Sequence, residues 1–164
     1  MDLDLLAQQV GAQLQSQSLM LATAESCTGG WIAKVVTDTA GSSAWFERGF
    51  ITYSNTAKQD MLGVRAETLR QHGAVSEATV VEMAEGALRN SRAQLSVAVS
   101  GIAGPGGGTA SKPVGRVYFA WSQAGAPTVV AVENFSGDRD AIRRQTVIRA
   151  LRGVLDLSPQ SASC

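Results

Sequence analysis

A hydroxyl, a thiol and a second hydroxyl stand side by side in the stretch Ala24-Glu25-Ser26-Cys27-Thr28-Gly29-Gly30, and each is a potential nucleophile. The flanks read as a strand over 19–24 and a helix from Trp31 to about Thr39, so the stretch is a strand–loop–helix junction. N–H groups in the first turn of a helix lack partners within it and can stabilise an oxyanion. Ser26 is therefore the candidate nucleophile of an acyl-transfer reaction, with Cys27, Thr28, Gly29 and Gly30 as candidate oxyanion donors. A plainer reading stays open, in which Ser26 or Thr28 caps the helix and the glycines allow tight packing. Cys27 is a narrower alternative nucleophile.

A second junction, Gly101-Ile102-Ala103-Gly104-Pro105-Gly106-Gly107-Gly108, follows another strand. So many glycines cost backbone entropy, which favours a loop that wraps an anion or lets a planar ligand approach the backbone. Gly101, Gly104 and Gly106 join the candidate substrate and oxyanion set, although a flexible surface turn has the same composition. No Gly-Lys-Ser/Thr follows, so this is not a Walker A loop, and the spacing is not G-x-G-x-x-G.

A serine needs a base. The sole histidine, His72, lies in a polar stretch between short helices, and a Ser-His-Asp triad requires it to fold back. The other route is a lysine whose pKa is lowered by burial. Lys58 lies a few residues into a short helix after the strand that carries Tyr53, and both can reach one end of the sheet; a solvated lysine is the plain alternative. One His, two distant Cys and no carboxylate cluster at ligand spacing predict no metal, and no cofactor motif is present.

The elements that must position these groups follow from periodicity. Leu3, Leu6, Val10 and Leu14 predict a first amphipathic helix. Residues 45–53, 95–100, 114–121 and 128–135 read as strands, the last two as a hairpin. Ser54 or Asn55 caps a short helix to Leu62, residues 65–71 add another, Ser76 caps a longer one, and the last helix starts near Asp138. Parallel crossovers early and a hairpin late predict an α/β fold, a three-layer α/β/α sandwich around a mixed five-stranded sheet. Residues 1–158 read as one domain and 159–164 as a frayed tail. Glu47 and Arg48, a charged pair in an aromatic strand, are expected near a sheet rim, a site or an interface.

The chain has 164 residues with fourteen basic and fourteen acidic side chains, a balance that argues against a nucleic-acid surface. The apolar runs are of strand length, and the start is not a basic leader followed by an apolar run, so no membrane span is expected and a cytoplasmic protein is the simple reading.

The blocks TAESCTGGWIAKVVTDTAGSSAWFERGFITYSNTAK, GAVSEATVVEMAEGA, SGIAGPGGG, KPVGRVYFAW and FSGDRDAIRRQ, in this order, resemble the CinA C-terminal domain family, and specifically its stand-alone nicotinamide-nucleotide amidohydrolases. The resemblance implies deamidation of nicotinamide mononucleotide to nicotinic acid mononucleotide and ammonia. It places the catalytic serine on Ser26 and the assisting tyrosine and lysine on Tyr53 and Lys58, and implies an α/β/α homodimer. Some relatives carry a molybdopterin-binding-like domain in front; this sequence shows none, so activities of that domain are not expected. With a small-molecule nucleotide as substrate, the 5′-phosphate calls for charged donors, and Arg139, Arg143 and Arg144 in the last helix are the candidates. A non-catalytic nucleotide-binding or interaction module, and an amidase for another small amide, are the alternatives.

Overall fold

Side-chain size alternates along the central strands and decides what covers each face. In β1 (Leu21–Glu25), β3 (Leu95–Gly101) and β4 (Arg116–Gln123), Leu21, Leu95, Val97, Val99, Val117, Phe119 and Trp121 point to one side. Ala22, Ala24, Ala98 and Ala120 point to the other. The computed structural model describes residues 1–157; the expected tail, 159–164, lies outside the described residues. The bulky face is covered by α1 (Leu3–Ser16), α2 (Trp31–Thr37) and α6 (Arg139–Leu157). The small-residue face admits α5 (Glu77–Arg89) at close range, with α3 (Asn55–Leu62) and α4 (Ala66–His72) beside it. The result is the expected three-layer sandwich.

With β2 (Phe46–Ile51) and β5 (Val129–Asn134) the sheet has order β2-β1-β3-β4-β5. β1 runs parallel to both β2 and β3, while β3–β4 and β4–β5 are antiparallel, the mixed pattern read from the sequence. The chain leaves β1 through α2 on one face and returns from β2 to β3 through α3–α5 on the other. The carboxyl ends of β1 and β3 therefore flank a topological switch point, where open α/β sheets bind ligands.

One reading of the sequence needs correction. The strand expected over 45–53 spans only Phe46–Ile51, and its alternation is broken because Leu21 pairs with Phe46 but Ala22 with Arg48, which leaves Glu47 extra. Glu47 and Arg48 lie at the rim of the sheet, on edge strand β2, one of the places expected for them, and away from the candidate site. They pair with each other at 2.6 Å and bond to the backbone of Arg92 and Asn90, at the amino end of β2, opposite the end that carries the candidate nucleophile.

The core beneath α6 is fixed by Trp121, which stacks on Phe119 and donates its indole N–H to the Ala150 carbonyl at 2.9 Å. A Cβ at Gly153 would overlap the Trp121 ring. Alanine normally gains about 1 kcal/mol over glycine within a helix, but overpacking a fixed ring costs about 1–3 kcal/mol. Gly153→Ala is therefore expected to destabilise the protein despite its better helix propensity, seen as a lower thermal midpoint; a higher midpoint would show that this contact yields.

Candidate active site

Three loops at the carboxyl end of the parallel strands build the site. The Ser26 N–H donates to the Val99 carbonyl at 3.2 Å, which extends the β1–β3 ladder by one residue and pins the nucleophile. The Thr52 N–H donates to the Glu25 carbonyl at 2.8 Å and holds the exit of β2 alongside. Ser54 then caps α3, its Oγ accepting from Ala57 N–H at 3.0 Å, and this places Lys58 one turn in. Lys58 does not point to solvent. Its side chain reaches back under the strand ends and is 1% exposed.

Lys58 Nζ lies 2.9 Å from Ser26 Oγ, 2.7 Å from the Thr52 carbonyl and 3.5 Å from the Tyr53 carbonyl. Among the described residues no carboxylate pairs with it. Burial pushes the ammonium down to about 8, an effect the neighbouring Cys27 sulfur opposes only in part. A neutral lysine has two N–H groups and one lone pair. With the two carbonyls taking the N–H groups, the lone pair is left facing the Ser26 hydroxyl, the geometry of a general base on a nucleophile. Roughly one Lys58 in ten is neutral at pH 7, against about one in three thousand for an ordinary lysine.

His72 takes no part: it is exposed at the end of α4, lines a different groove, and its carbonyl accepts from Lys112 at 2.6 Å. Cys27 is buried beside Ser26, and burial pushes its thiol up to about 11, so it stays protonated at neutral pH.

The turn after Ser26 is not capped by Ser26 or Thr28. Gly30, at φ 104°, opens α2 without a side-chain cap of its own. The Glu25 carboxylate accepts instead from the Thr28 hydroxyl and from the N–H groups of Gly30, Ile32 and Ala33. This role was missed in the sequence; a carboxylate just before a Gly-Gly helix start is its only local signal. Gly29 N–H donates to Ser26 O and Trp31 N–H to Thr28 O. The Gly29 and Gly30 amides are therefore committed within the fold. Those of Cys27 and Thr28 are left without an oxygen acceptor among the described residues. Arg143 grips the same turn, its Nε donating to Cys27 O at 3.0 Å and its Nη2 to Thr28 O at 2.9 Å, with its guanidinium over the Trp31 ring. In a trans peptide the N–H points opposite to the preceding C=O. Arg143 thereby turns the Thr28 N–H away from α6.

Ser26, Cys27, Tyr53, Lys58, Gly104 and Arg139 share one cavity of about 250 Å³, which Gly101 and Gly106 also line. Thr28, Gly29, Gly30 and Arg143 line the adjoining groove. Tyr53 is exposed at the cavity mouth; its hydroxyl accepts from Arg139 at 3.2 Å, and Arg139 also donates to the Gly104 carbonyl at 2.7 Å. Lys58 thus meets the backbone of Tyr53 and not its hydroxyl. Arg144 is not brought to the site, because it bonds to the Met1 carbonyl on the α1 side. Among the described residues no three His, Cys, Asp or Glu side chains converge as metal ligands.

The model of the CinA C-terminal domain matches residues 3–158. The nicotinamide-nucleotide amidohydrolase PncC of Escherichia coli (strain K12) is 61% identical over 147 residues, which are 90% of this chain and 89% of that protein. The protein of the same name from Pseudomonas putida is 49% identical over 155 residues, 94% of this chain and 96% of that one. The solved structure of the competence/damage inducible protein CihA from Agrobacterium tumefaciens superposes with a TM-score of 0.93 at 48% identity, covering 96% of each chain.

Two outcomes follow from the Lys58 geometry. Only the neutral amine can take a proton, so kcat/KM should rise tenfold per pH unit below about 8 and level off above it; Lys58→Arg, which cannot lose its charge, should be inactive across that range. A profile flat from pH 6 to 9 would show that Lys58 is not the base. The second concerns stability. The folded protein holds the ammonium at a pKa below its unfolded 10.5, so the charged form is penalised in the native state. Lys58→Met should raise stability at pH 7 by about 2 kcal/mol while abolishing turnover, with the gain full below pH 8 and gone above about 10.5, where both forms are neutral. Denaturant titrations of both proteins at pH 7 and pH 10.5 measure it, and equal stability at pH 7 would contradict it.

Proposed function

The chain belongs to the CinA C-terminal domain family, and on that footing we propose that it hydrolyses the carboxamide of nicotinamide mononucleotide to nicotinic acid mononucleotide and ammonia. The observation that carries this reading is the buried Lys58 amine at 2.9 Å from Ser26 Oγ. A binding-only module has no use for an unpaired buried lysine against a serine, since the burial lowers stability. A thiol held at about 11 beside a serine that touches the base favours Ser26 over Cys27 as nucleophile.

In this mechanism Ser26 Oγ attacks the carboxamide carbon as its proton passes to Lys58. The N–H groups of Cys27 and Thr28 receive the oxyanion, a role in which one good donor contributes roughly 3 kcal/mol to lowering the barrier. Lys58 then gives the proton to the departing nitrogen, which leaves as ammonia. Water enters and attacks the acyl carbon as it loses a proton to Lys58, and Lys58 returns that proton to Ser26 Oγ as the acid departs. Tyr53 accepts from Arg139, so its own O–H proton is free to donate to the substrate at the cavity mouth. Arg139 is the phosphate donor of this scheme, together with the amides of Gly104 and Gly106. Arg143 is already committed to the turn and Arg144 to Met1, so neither serves that role. No metal or cofactor enters any step. A homodimer in the cytoplasm completes the reading. Val129, Val130 and Val132 are exposed on edge strand β5, and among the described residues no helix is long and apolar enough to cross a membrane.

Purified protein should release ammonia from nicotinamide mononucleotide, and Ser26→Ala should lower kcat by at least about 10⁴-fold while Cys27→Ala stays within a few-fold. An active Ser26→Ala with a dead Cys27→Ala would reverse the assignment. Arg139→Ala should raise KM for the mononucleotide roughly tenfold or more, and cost nicotinamide riboside, which lacks the phosphate but still meets the Tyr53 that Arg139 orients, much less. Equal losses on both substrates would remove Arg139 from the phosphate.

A further inference from the structure

The turn after β1 holds a buried acid that none of these steps uses. Glu25 precedes Ser26 and is 1% exposed. Oε1 accepts from the Thr28 hydroxyl at 2.6 Å, Gly30 N–H at 3.2 Å and Ile32 N–H at 2.9 Å, while Oε2 accepts from Ala33 N–H at 3.0 Å. Among the described residues no Lys, Arg or His forms an ion pair with it. A carboxylate buried without a cation is unfavourable unless donors surround it, and here four do. A hydrophobic residue of similar size would fill the space more cheaply, so the group is retained for what its oxygens hold.

They hold direction. Three amides at the start of α2 are drawn onto one carboxylate, and the Thr28 side chain is drawn with them. The backbone between Ser26 and Gly30 is then tied at both ends: by Ser26 N–H to Val99 O on one side and by Glu25 on the other. Arg143 holds its two carbonyls from the α6 side. We propose that Glu25 is a positioning residue for amide hydrolysis: by absorbing the first amides of α2 and the Thr28 hydroxyl, it leaves the N–H groups of Cys27 and Thr28, alone in this turn, to face the oxyanion. This assignment rests on the reading of Ser26 as an amidase nucleophile.

Glu25→Gln tests this, because an NH₂ group then meets backbone N–H groups donor to donor. Its kcat on nicotinamide mononucleotide should fall about 10²- to 10³-fold, the scale of losing one oxyanion donor, with KM within about threefold. The pH midpoint near 8 should stay, because Lys58 contacts neither Glu25 nor Thr28. Thr28→Val, which keeps the buried volume should Glu25→Gln fail to fold, is expected to lower kcat about tenfold at unchanged KM. Unchanged kcat in the folded variants, a KM that rises in step with the loss, or a midpoint displaced by a unit would each overturn the assignment. Amide hydrogen exchange at Ile32 and Ala33 should quicken at least about tenfold in Glu25→Gln, whatever the protein's activity. A wild-type protein inert toward the mononucleotide would sink the amidase reading, whereas unchanged exchange at Ile32 and Ala33 would sink the role of Glu25.

Discussion

An amine buried without a counter-charge is the constraint on which the rest of this molecule depends. Lys58 is inside the protein, touches a serine hydroxyl and two carbonyls, and pairs with no carboxylate among the described residues. The arrangement is unfavourable for the ammonium and favourable for the free amine, which is the form a general base needs. Stability is thereby exchanged for an amine that loses its charge nearer neutral pH, as the proposed base role requires, a role more often filled by histidine. The single histidine of this chain is exposed at the end of α4, so the fold relies on burial instead.

The topology makes that burial possible. β1 and β2 are parallel neighbours, so their carboxyl ends lie side by side, and the loop from each emerges at the same rim. One loop carries Ser26 and the other leads through the Ser54 cap into α3. The small-residue face of the sheet lets the helices on that side come close enough for a side chain from α3 to pass beneath the strand ends. The nucleophile turn is then held from three directions by groups of different chemistry: the β3 backbone, the Glu25 carboxylate and the Arg143 guanidinium. Each removes a donor or acceptor from the turn, and in the proposed mechanism the two amides left over receive the negative charge.

Much of this was legible in the chain. The strands β1, β3 and β4, the caps Ser54 and Ser76 and the late hairpin all sit close to where local pattern predicts, because local pattern is what determines them. The Ser26 junction was legible as a place for chemistry, and the likeness to a family named Tyr53 and Lys58 as its partners. Burial of Lys58 was not legible: a lysine one turn into a short polar helix reads as solvated, and only the sheet geometry turns it inward. Glu25 was hidden for a related reason, since its bonds reach from three to eight residues ahead and exist only once two glycines have folded the chain back. The arginines of α6 show the limit of spacing. Arg139 and Arg143 share a face, as four-residue spacing requires, yet they serve the cavity and the turn separately, while Arg144 lies about 100° further round and meets Met1.

The central claim, that the fold holds Lys58 as a base for Ser26, is open to a direct reading of the lysine itself. Following the Lys58 side-chain resonances by ¹³C NMR from pH 6 to 12 should give a midpoint at about 8, set by burial. A midpoint at the ordinary lysine value near 10.5 would contradict the account, since Lys58 would then carry its charge throughout the neutral range and could not take a proton from Ser26.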